Sequence, residues 1–325
     1  MRYRVTHRTT YTTTEPVSVC HNLAHLMPRA TAYQTPIDHD LQIDPRPSSI
    51  AEHLDTFGNP ATAFSFSEGY GELRVEAVNE VEVRRPDDPL ADDPLPWEKV
   101  RDGRWRSAVV GAGGMGDVRQ FLFDSPRIHR DPAFAEYARV SFTKDRPLIE
   151  AAFDLTRRVH CEFEYSKTAT SVTTPIARVF EQRAGVCQDF AQLQIAMLRS
   201  IGLPACYVSG YIRTYRSGDD RELIGAGGSH AWVSVYSGRP EVGDAGWIDL
   251  DPTNDKFLTD EFVTLARGRD YSDVAPIKGI FVGSGRHELN VAVRMQPVQP
   301  EESDGVLSDD GGAGTKPEAA ATVSA

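Results

Sequence analysis

Apolar and polar residues alternate along most of the first 85 residues of this chain. The pattern is clearest in TAFSFSEGYGELRVEAVNEVEVRR (62–85), and the start, YRVTHRTTYTT (3–13), is rich in the β-favouring residues Thr, Tyr and Val. A period of two places every second side chain on one face, so such strands bury one face only. DTFGNP (55–60) supplies a turn between two of these segments. The sequence therefore predicts an antiparallel β-sandwich or barrel-like domain over residues 1–85.

A proline-rich acidic segment, PDDPLADDPLPW (86–97), follows this domain. It cannot pack as a regular element, and we interpret it as a linker. Residues 98–297 are predicted to form a second unit, with a helical segment first, core motifs over 160–260 and a final strand near its end. Residues 298–325 contain no aromatic side chain and few large apolar ones, which is typical of a disordered tail.

Composition excludes several classes of function. The net charge of −12 would repel a phosphate backbone, so no nucleic-acid partner is expected. The chain contains no apolar stretch long enough to span a membrane and no secretory signal at its start, so we expect a cytoplasmic protein without a membrane partner. Four scattered cysteines without a CxxC motif predict neither a disulfide framework nor a zinc site. We therefore expect no cofactor and no metal, and the oligomeric state stays open.

One cysteine lies at a predicted helix start, in RAGVCQDFAQL (183–193). Apolar residues after Cys187 recur with helical spacing, and Gly202 followed by Pro204 marks the end of the helix. The free N–H groups and the dipole of a helix N-terminus favour a negative charge, which on Cys187 would be a thiolate. The Cys187 N–H could also hold an oxyanion. A buried structural cysteine remains the commoner interpretation of such a residue taken alone.

Two strand-like segments, SHAWVSVY (229–236) and GWIDLDPT (246–253), flank a loop with two glycines and a proline, which predicts an antiparallel hairpin. If Tyr236 lies opposite Ala245, then His230 lies opposite Asp251. Directly opposed side chains are close enough for a carboxylate to hold an imidazole. Asp249, on the same strand face, is the alternative partner.

Each of these residues has an ordinary structural explanation. His230 could be a core histidine beside Trp232, and Asp251 could be a strand-end residue before Pro252. A helix-start cysteine together with a His/Asp pair is nevertheless the arrangement that nucleophilic cysteine catalysis needs. We therefore take Cys187, His230 and Asp251 as candidate catalytic residues.

The chain resembles a known family in these same segments. GVCQDFAQLQIAMLRSIGLPACYVSGYI (185–212), SHAWVSVY and GWIDLDPTND (246–255) are similar to motifs of the bacterial transglutaminase-like superfamily, and the first 85 residues are similar to the β domain that precedes its core. The resemblance implies an α+β fold with a papain-like cysteine-enzyme core preceded by an antiparallel β-sandwich domain. It implies that Cys187 is the nucleophile, His230 the base and Asp251 its orienting residue.

The function implied by the resemblance is attack on an amide bond of a protein or peptide substrate through a thioester. The products would come from hydrolysis, as in a cysteine protease, or from transamidation. The alternative is a catalytically silent papain-like protein that binds peptides or serves as a scaffold. Calcium, which eukaryotic transglutaminases need, is not expected because the sequence has no EF-hand type of loop.

Two weaker motifs favour structural roles. VVGAGGMG (109–116) has the GxGxxG spacing of a dinucleotide site, but the strand before it is barely formed and no second βαβ unit follows. CHNLAHLMPR (20–29) contains Cys20, His21 and His25, which would converge on a metal only if the segment were helical. The segment is β-like or irregular, so neither motif predicts a cofactor site.

Overall fold

The computed structural model describes residues 1–17, 19–84, 86, 89–90, 95–103, 118–215, 223–224, 228–241, 243–283 and 286–298. The glycine-rich stretch 109–116 and the tail beyond residue 298 lie outside these ranges, as does part of the predicted linker. Within the described ranges no helix is long and apolar enough to cross a membrane.

The first 85 residues form six strands, as their alternating pattern predicts. The strands are β1 (Arg2–Val17), β2 (Val19–Ala24), β3 (Gln34–Asp44), β4 (Ser49–Leu54), β5 (Pro60–Phe66) and β6 (Tyr70–Val83). In β6, burial alternates from Leu73 to Val83, because every second side chain faces the interior.

Two further strands near the end of the chain complete this domain, β14 (Ile277–Val282) and β15 (His287–Pro297). One antiparallel sheet has the order β15-β1-β6-β3 and the other has the order β14-β2-β5-β4. A common apolar core that includes Val17, Phe64, Phe66 and Val75 lies between them. The predicted β-sandwich is therefore present, with one edge strand of each sheet supplied by the C-terminal part of the chain.

The position of β15 differs from the domain division predicted above, which placed the final strand with the second unit. Residues Tyr3 to Thr13 of β1 pair with residues Pro297 to His287 of β15. The alternation of 286–298 indicates a strand, but it carries no information about which strand becomes its neighbour.

The residues between β6 and β14 form the helical segment and the core. The helices are α1 (Trp97–Arg101), a 3₁₀ helix (Val118–Leu122), α2 (Pro132–Arg139), α3 (Leu148–Glu162), α4 (Ile176–Gln182), α5 (Cys187–Ser200) and α6 (Tyr271–Val274). The strands are β7 (Glu164–Tyr165), β8 (Ala184–Gly185), β9 (Ala205–Ile212), β10 (His230–Tyr236), β11 (Trp247–Asp251), β12 (Lys256–Phe257) and β13 (Phe262–Gly268).

Helix α5 is the central helix of this unit. All its residues from Asp189 to Arg199 are buried, and it packs against β9 and β10 of an antiparallel sheet with the order β12-β11-β10-β9-β13. Gly202 follows the helix with a φ of +86°, a conformation that favours glycine and ends the helix as predicted. A helix packed on an antiparallel sheet, which is the predicted α+β core, places the start of α5 beside the strands.

The turn motif DTFGNP joins the sandwich to the core. Asn59, fully buried, accepts hydrogen bonds at Oδ1 from the Arg29 guanidinium (2.6 Å) and the Arg267 N–H (2.8 Å). Its Nδ2 donates to the Arg267 carbonyl and to Asp55 Oδ2, both at 2.8 Å. Arg267 belongs to β13, so one asparagine satisfies main-chain groups of the core sheet from within the β domain.

Candidate active site

Cys187 is the first residue of α5, where the sequence pattern places it. Val186 precedes it in an extended conformation (φ −112°, ψ 177°), and the Cys187 side chain is partly exposed. Strand β8, directly upstream, pairs in parallel with β7 and brings Tyr165 opposite Gly185. The thiol therefore lies at the positive end of the helix dipole, beside a short strand pair.

The start of α5 is fixed by a residue that sequence reasoning missed. Asp189 is buried, and its Oδ2 accepts hydrogen bonds from the Val186 N–H (2.9 Å) and from Thr170 Oγ1 (2.6 Å). Burial raises the pKa of Asp189, while the hydrogen bonds from Thr170 and Val186 oppose the rise. A Cβ on Gly185 would lie 2.8 Å from Asp189 Oδ2, so the glycine before the cysteine leaves room for this carboxylate. An acidic residue in the first turn was a usable signal.

His230 and Asp251 are in direct contact. His230 begins β10, Asp251 ends β11, and His230 Nε2 lies 2.9 Å from Asp251 Oδ2. Both side chains are fully buried. A histidine nitrogen bound to an ionised carboxylate donates its proton, so the contact assigns the proton to Nε2 and turns Nδ1 to the opposite side of the ring.

The hairpin register that led to this pair is wrong by two residues. Ser234 pairs with Asp249, and Tyr236 pairs with Trp247 rather than with Ala245. The loop is asymmetric because Ala245 and Gly246 continue it in left-handed conformations, with φ of 54° and 91°. A shift of two keeps every side chain on its predicted face, so His230 and Asp251 meet diagonally.

The charge state of His230 follows from its neighbours. Burial lowers its pKa, but the charge of Asp251, followed by that of Cys187 and by hydrogen bonding to both, outweighs burial and raises the pKa to about 10. The Cys187 thiol is therefore near enough to the imidazole to contribute to this rise. His230 thus lies between a thiol and a carboxylate, and both favour the protonated imidazole.

Asp251 is held by three donors. Besides His230, the Thr253 N–H donates to Oδ1 (2.8 Å) and Asn254 Nδ2 donates to Oδ2 (2.7 Å). Burial raises the pKa of Asp251, but the His230 charge and these hydrogen bonds outweigh it and hold the pKa below its usual range. Neither Thr253 nor Asn254 was predicted, although both follow Asp251 within the motif DPTND.

Asp249, the alternative partner for His230, has a different contact. Its Oδ2 accepts a hydrogen bond from Arg267 Nη2 (2.9 Å), and Arg267 Nη1 donates to Asp244 (2.6 Å). Asp249 and Arg267 belong to β11 and β13, so this buried ion pair joins two strands that are not neighbours in the core sheet.

The metal ligands weighed for residues 20–29 do not converge. His25 is buried and lies 3.2 Å from Asp55 Oδ2, whereas Cys20 and His21 belong to β2. Across the described ranges, no group of three or more His, Cys, Asp and Glu side chains could hold a metal ion.

Family models match both units of the chain. Residues 3–82 match the bacterial transglutaminase-like N-terminal region, and residues 135–252 match the transglutaminase-like superfamily, a range that contains Cys187, His230 and Asp251. The chain belongs to the transglutaminase-like superfamily. The resemblance given by the sequence motifs is confirmed.

Similar proteins extend over nearly the whole transglutaminase-like chain. An uncharacterized protein of Mycobacterium tuberculosis is 36% identical over 303 residues, which are 92% of this chain and 93% of the relative. An uncharacterized protein of Mycobacterium leprae is 31% identical over 294 residues, 90% of this chain and 98% of the relative.

A solved structure shares the fold of this transglutaminase-like protein. The crystal structure of a candidate cysteine protease from Cytophaga hutchinsonii has a TM-score of 0.69 and 22% sequence identity, and it covers 93% of this chain and 92% of its own. The papain-like α+β fold predicted from the sequence is therefore confirmed.

Aromatic side chains of the transglutaminase-like core surround the histidine. The rings of Trp232 and Phe262 lie 6.1 and 6.3 Å from that of His230. Gly210, which pairs with His230, leaves the space that the Trp232 ring fills, because a Cβ there would lie 2.3 Å from the indole. These packed rings exclude water from one side of the imidazole.

Proposed function

We propose that this protein is a cysteine-dependent enzyme that attacks amide bonds of proteins or peptides through a thioester. Cys187 would be the nucleophile, His230 the proton-transfer group and Asp251 the residue that orients it. One observation carries the proposal, the buried His230–Asp251 pair beside the first residue of α5. A buried imidazolium–carboxylate pair has no need of a neighbouring thiol for stability, whereas nucleophilic cysteine catalysis needs all three groups.

In the proposed first step, the Cys187 thiolate attacks the carbonyl carbon of the substrate. The N–H of Cys187, at the N-terminus of α5, would stabilise the oxyanion. The His230 imidazolium would give its Nδ1 proton to the substrate nitrogen, the C–N bond would break, and ammonia or an amine would leave. Asp251 would hold the ring through Nε2 during this transfer.

In the second step, neutral His230 would take a proton at Nδ1 from the acceptor, which attacks the thioester. The C–S bond of the thioester would then break: water as acceptor gives a carboxylic acid, which loses its proton to solvent (hydrolysis), and a primary amine gives a new amide (transamidation). Either route returns the thiolate and the imidazolium. The choice depends on which acceptor reaches the thioester, so we propose the thioester chemistry and leave the acceptor to experiment.

Three measurements on one protein sample test the proposal. A peptide library is assayed for cleavage, glutamine-containing peptides for ammonia release, and the same peptides for incorporation of a fluorescent primary amine. We expect at least one activity in the native protein, none in Cys187→Ala, and full activity in Cys161→Ala, which changes an exposed cysteine.

Activity that persists in Cys187→Ala would exclude the mechanism. Peptide binding without turnover in the native protein would instead support the catalytically silent alternative.

A further inference from the structure

Asn254 connects Asp251 of the candidate site to the main chain at Ile224, upstream of His230. Its Nδ2 donates to Asp251 Oδ2 (2.7 Å) and to the Ile224 carbonyl (3.2 Å), and its Oδ1 accepts from the Ile224 N–H (2.8 Å). Ile224 lies six residues before His230 in the sequence. The asparagine thus contacts the carboxylate that holds His230 and the main chain upstream of the same histidine.

The chemistry of these partners fixes the orientation of the Asn254 amide. A carboxylate accepts hydrogen bonds only, so the group facing Asp251 must be the NH₂ group. The Ile224 N–H only donates, so it must face Oδ1. Both requirements select one orientation, and a flipped amide would lose both contacts.

We propose that Asn254 is a positioning residue, which holds the Asp251 carboxylate toward His230 and ties it to the main chain at Ile224. This inference rests on the proposed function of Cys187, His230 and Asp251. Asp251 Oδ1 is held by Thr253, the next residue but one, whereas Oδ2, which contacts His230, is held among the described residues by Asn254 as its one other donor. Without the asparagine, Oδ1 keeps the Thr253 N–H and Oδ2 keeps His230 alone, so the carboxylate is held less firmly in the plane that faces Nε2.

A less firmly held carboxylate affects His230 and, through His230, Cys187. A carboxylate that no longer faces Nε2 gives less support to the imidazolium, and the imidazolium is the group that favours a thiolate at Cys187. Losing Asn254 should therefore lower the thiolate fraction at neutral pH without changing the reactivity of a fully ionised thiol.

The test measures alkylation of Cys187 by iodoacetamide from pH 4 to 11, followed by mass spectrometry on the tryptic peptide 184–199. Cys161, exposed and on another peptide, is the internal reference. The variants are Asn254→Ala and the isosteric Asn254→Asp, which keeps an acceptor for the Ile224 N–H but cannot donate to Asp251 when ionised. Asn290→Ala, at an exposed position of β15, is the matched control, and circular dichroism monitors folding.

We expect both Asn254 variants to shift the midpoint of the Cys187 profile upward by about one pH unit, which makes alkylation about tenfold slower at pH values well below the midpoint. The plateau at high pH should equal that of the native protein, and Asn290→Ala should match the native profile throughout. A loss that arises only from weakened folding or changed access would instead alter the rate at every pH.

Unchanged midpoints in both variants, or an equal loss at every pH, would overturn the positioning role and leave the proposed function intact. If Cys187 of the native protein reacts no faster than Cys161 at neutral pH, the proposed function itself fails.

Discussion

Asp249 and Asp251 lie two residues apart on β11 and contact different partners. Asp251 contacts His230, whereas Asp249 contacts Arg267, whose side chain is only 2% exposed. Asp249→Asn and Asp251→Asn each replace a carboxylate by an amide on β11, so the two variants are a matched pair. We expect Asp249→Asn to reduce stability without changing Cys187 reactivity, and Asp251→Asn to reduce that reactivity.

The size of the stability effect follows from the Arg267 contacts. Removing one partner of a buried ion pair costs about 3–5 kcal/mol. Asp244 remains 2.6 Å from Arg267 and still pairs with it, so we expect a smaller loss than this range, about 2–3 kcal/mol. At about 2.1 cal/mol/K of unfolding entropy per residue, the roughly 260 residues that the structure describes convert this loss into a Tm decrease of about 4–5 °C.

Asp251→Asn removes the largest contribution that raises the pKa of His230, so burial, which lowers the pKa, is opposed by Cys187 without the help of a carboxylate. With the imidazolium less favoured, we expect iodoacetamide to react with Cys187 about tenfold more slowly at pH 7. Thermal unfolding followed by circular dichroism and alkylation followed by mass spectrometry, both at pH 7, measure the two effects. The reasoning is refuted if Asp249→Asn slows Cys187 as much as Asp251→Asn does, or leaves the Tm unchanged.

Three further predictions concern the packing around the site. Burial lowers the pKa of His7 to about 4 from 6.5, so between these values the unfolded chain binds a proton that the folded chain does not. The contribution of His7 to the unfolding free energy should therefore fall by about 3 kcal/mol from pH 7 to 4. Denaturant titrations of the native protein and of His7→Gln at both pH values measure this contribution, and an equal pH dependence in the two proteins would contradict it. Gly210→Ala would place a Cβ 2.3 Å from Trp232 and should lower the unfolding free energy by about 1–3 kcal/mol. Gly71→Ala is the control, because a Cβ at Gly71 would meet no atom within 4 Å, and it should leave the unfolding free energy nearly unchanged. Equal denaturation midpoints for the two variants would contradict this prediction. Asn59→Ala leaves buried main-chain groups of β13 without their Asn59 partners and should lower the unfolding free energy by about 2–3 kcal/mol. The same denaturant titration measures this loss, and an unchanged midpoint would show that the contact contributes little to stability.

Local signals predicted the elements of the site well. The helix over Cys187–Ser200 follows from apolar spacing and from Gly202, and both act within a few residues of the positions they determine. The hairpin of His230 and Asp251 was also predicted, but the predicted register was wrong by two residues. The left-handed conformation of Ala245 lengthens the loop on one side, and an alanine gives no sequence signal for such a conformation.

Contacts between distant residues could not be predicted from the sequence. Thr170 reaches Asp189, Ile224 reaches Asn254, and Arg267 reaches Asp249 only after the sheet and its loops have formed. Thr170 and Arg267 are polar residues whose types are compatible with exposed positions, and Ile224 contributes main-chain groups that every residue type except proline supplies. The sequence thus indicates the three candidate residues, while the groups that hold them depend on tertiary structure.

The pairing of β1 with β15 makes the β domain discontinuous, with the whole core inserted between β6 and β14. During synthesis on the ribosome, β1 to β6 emerge first, yet each of their two sheets lacks an edge strand until residues 277–297 have been made. The helical core can therefore fold before the domain that precedes it is complete. A chain that ends before residue 277 would expose backbone N–H and C=O groups along β1 and β2, and such unpaired edges promote aggregation. Complete synthesis, rather than the stability of the core, would then determine whether the protein stays soluble.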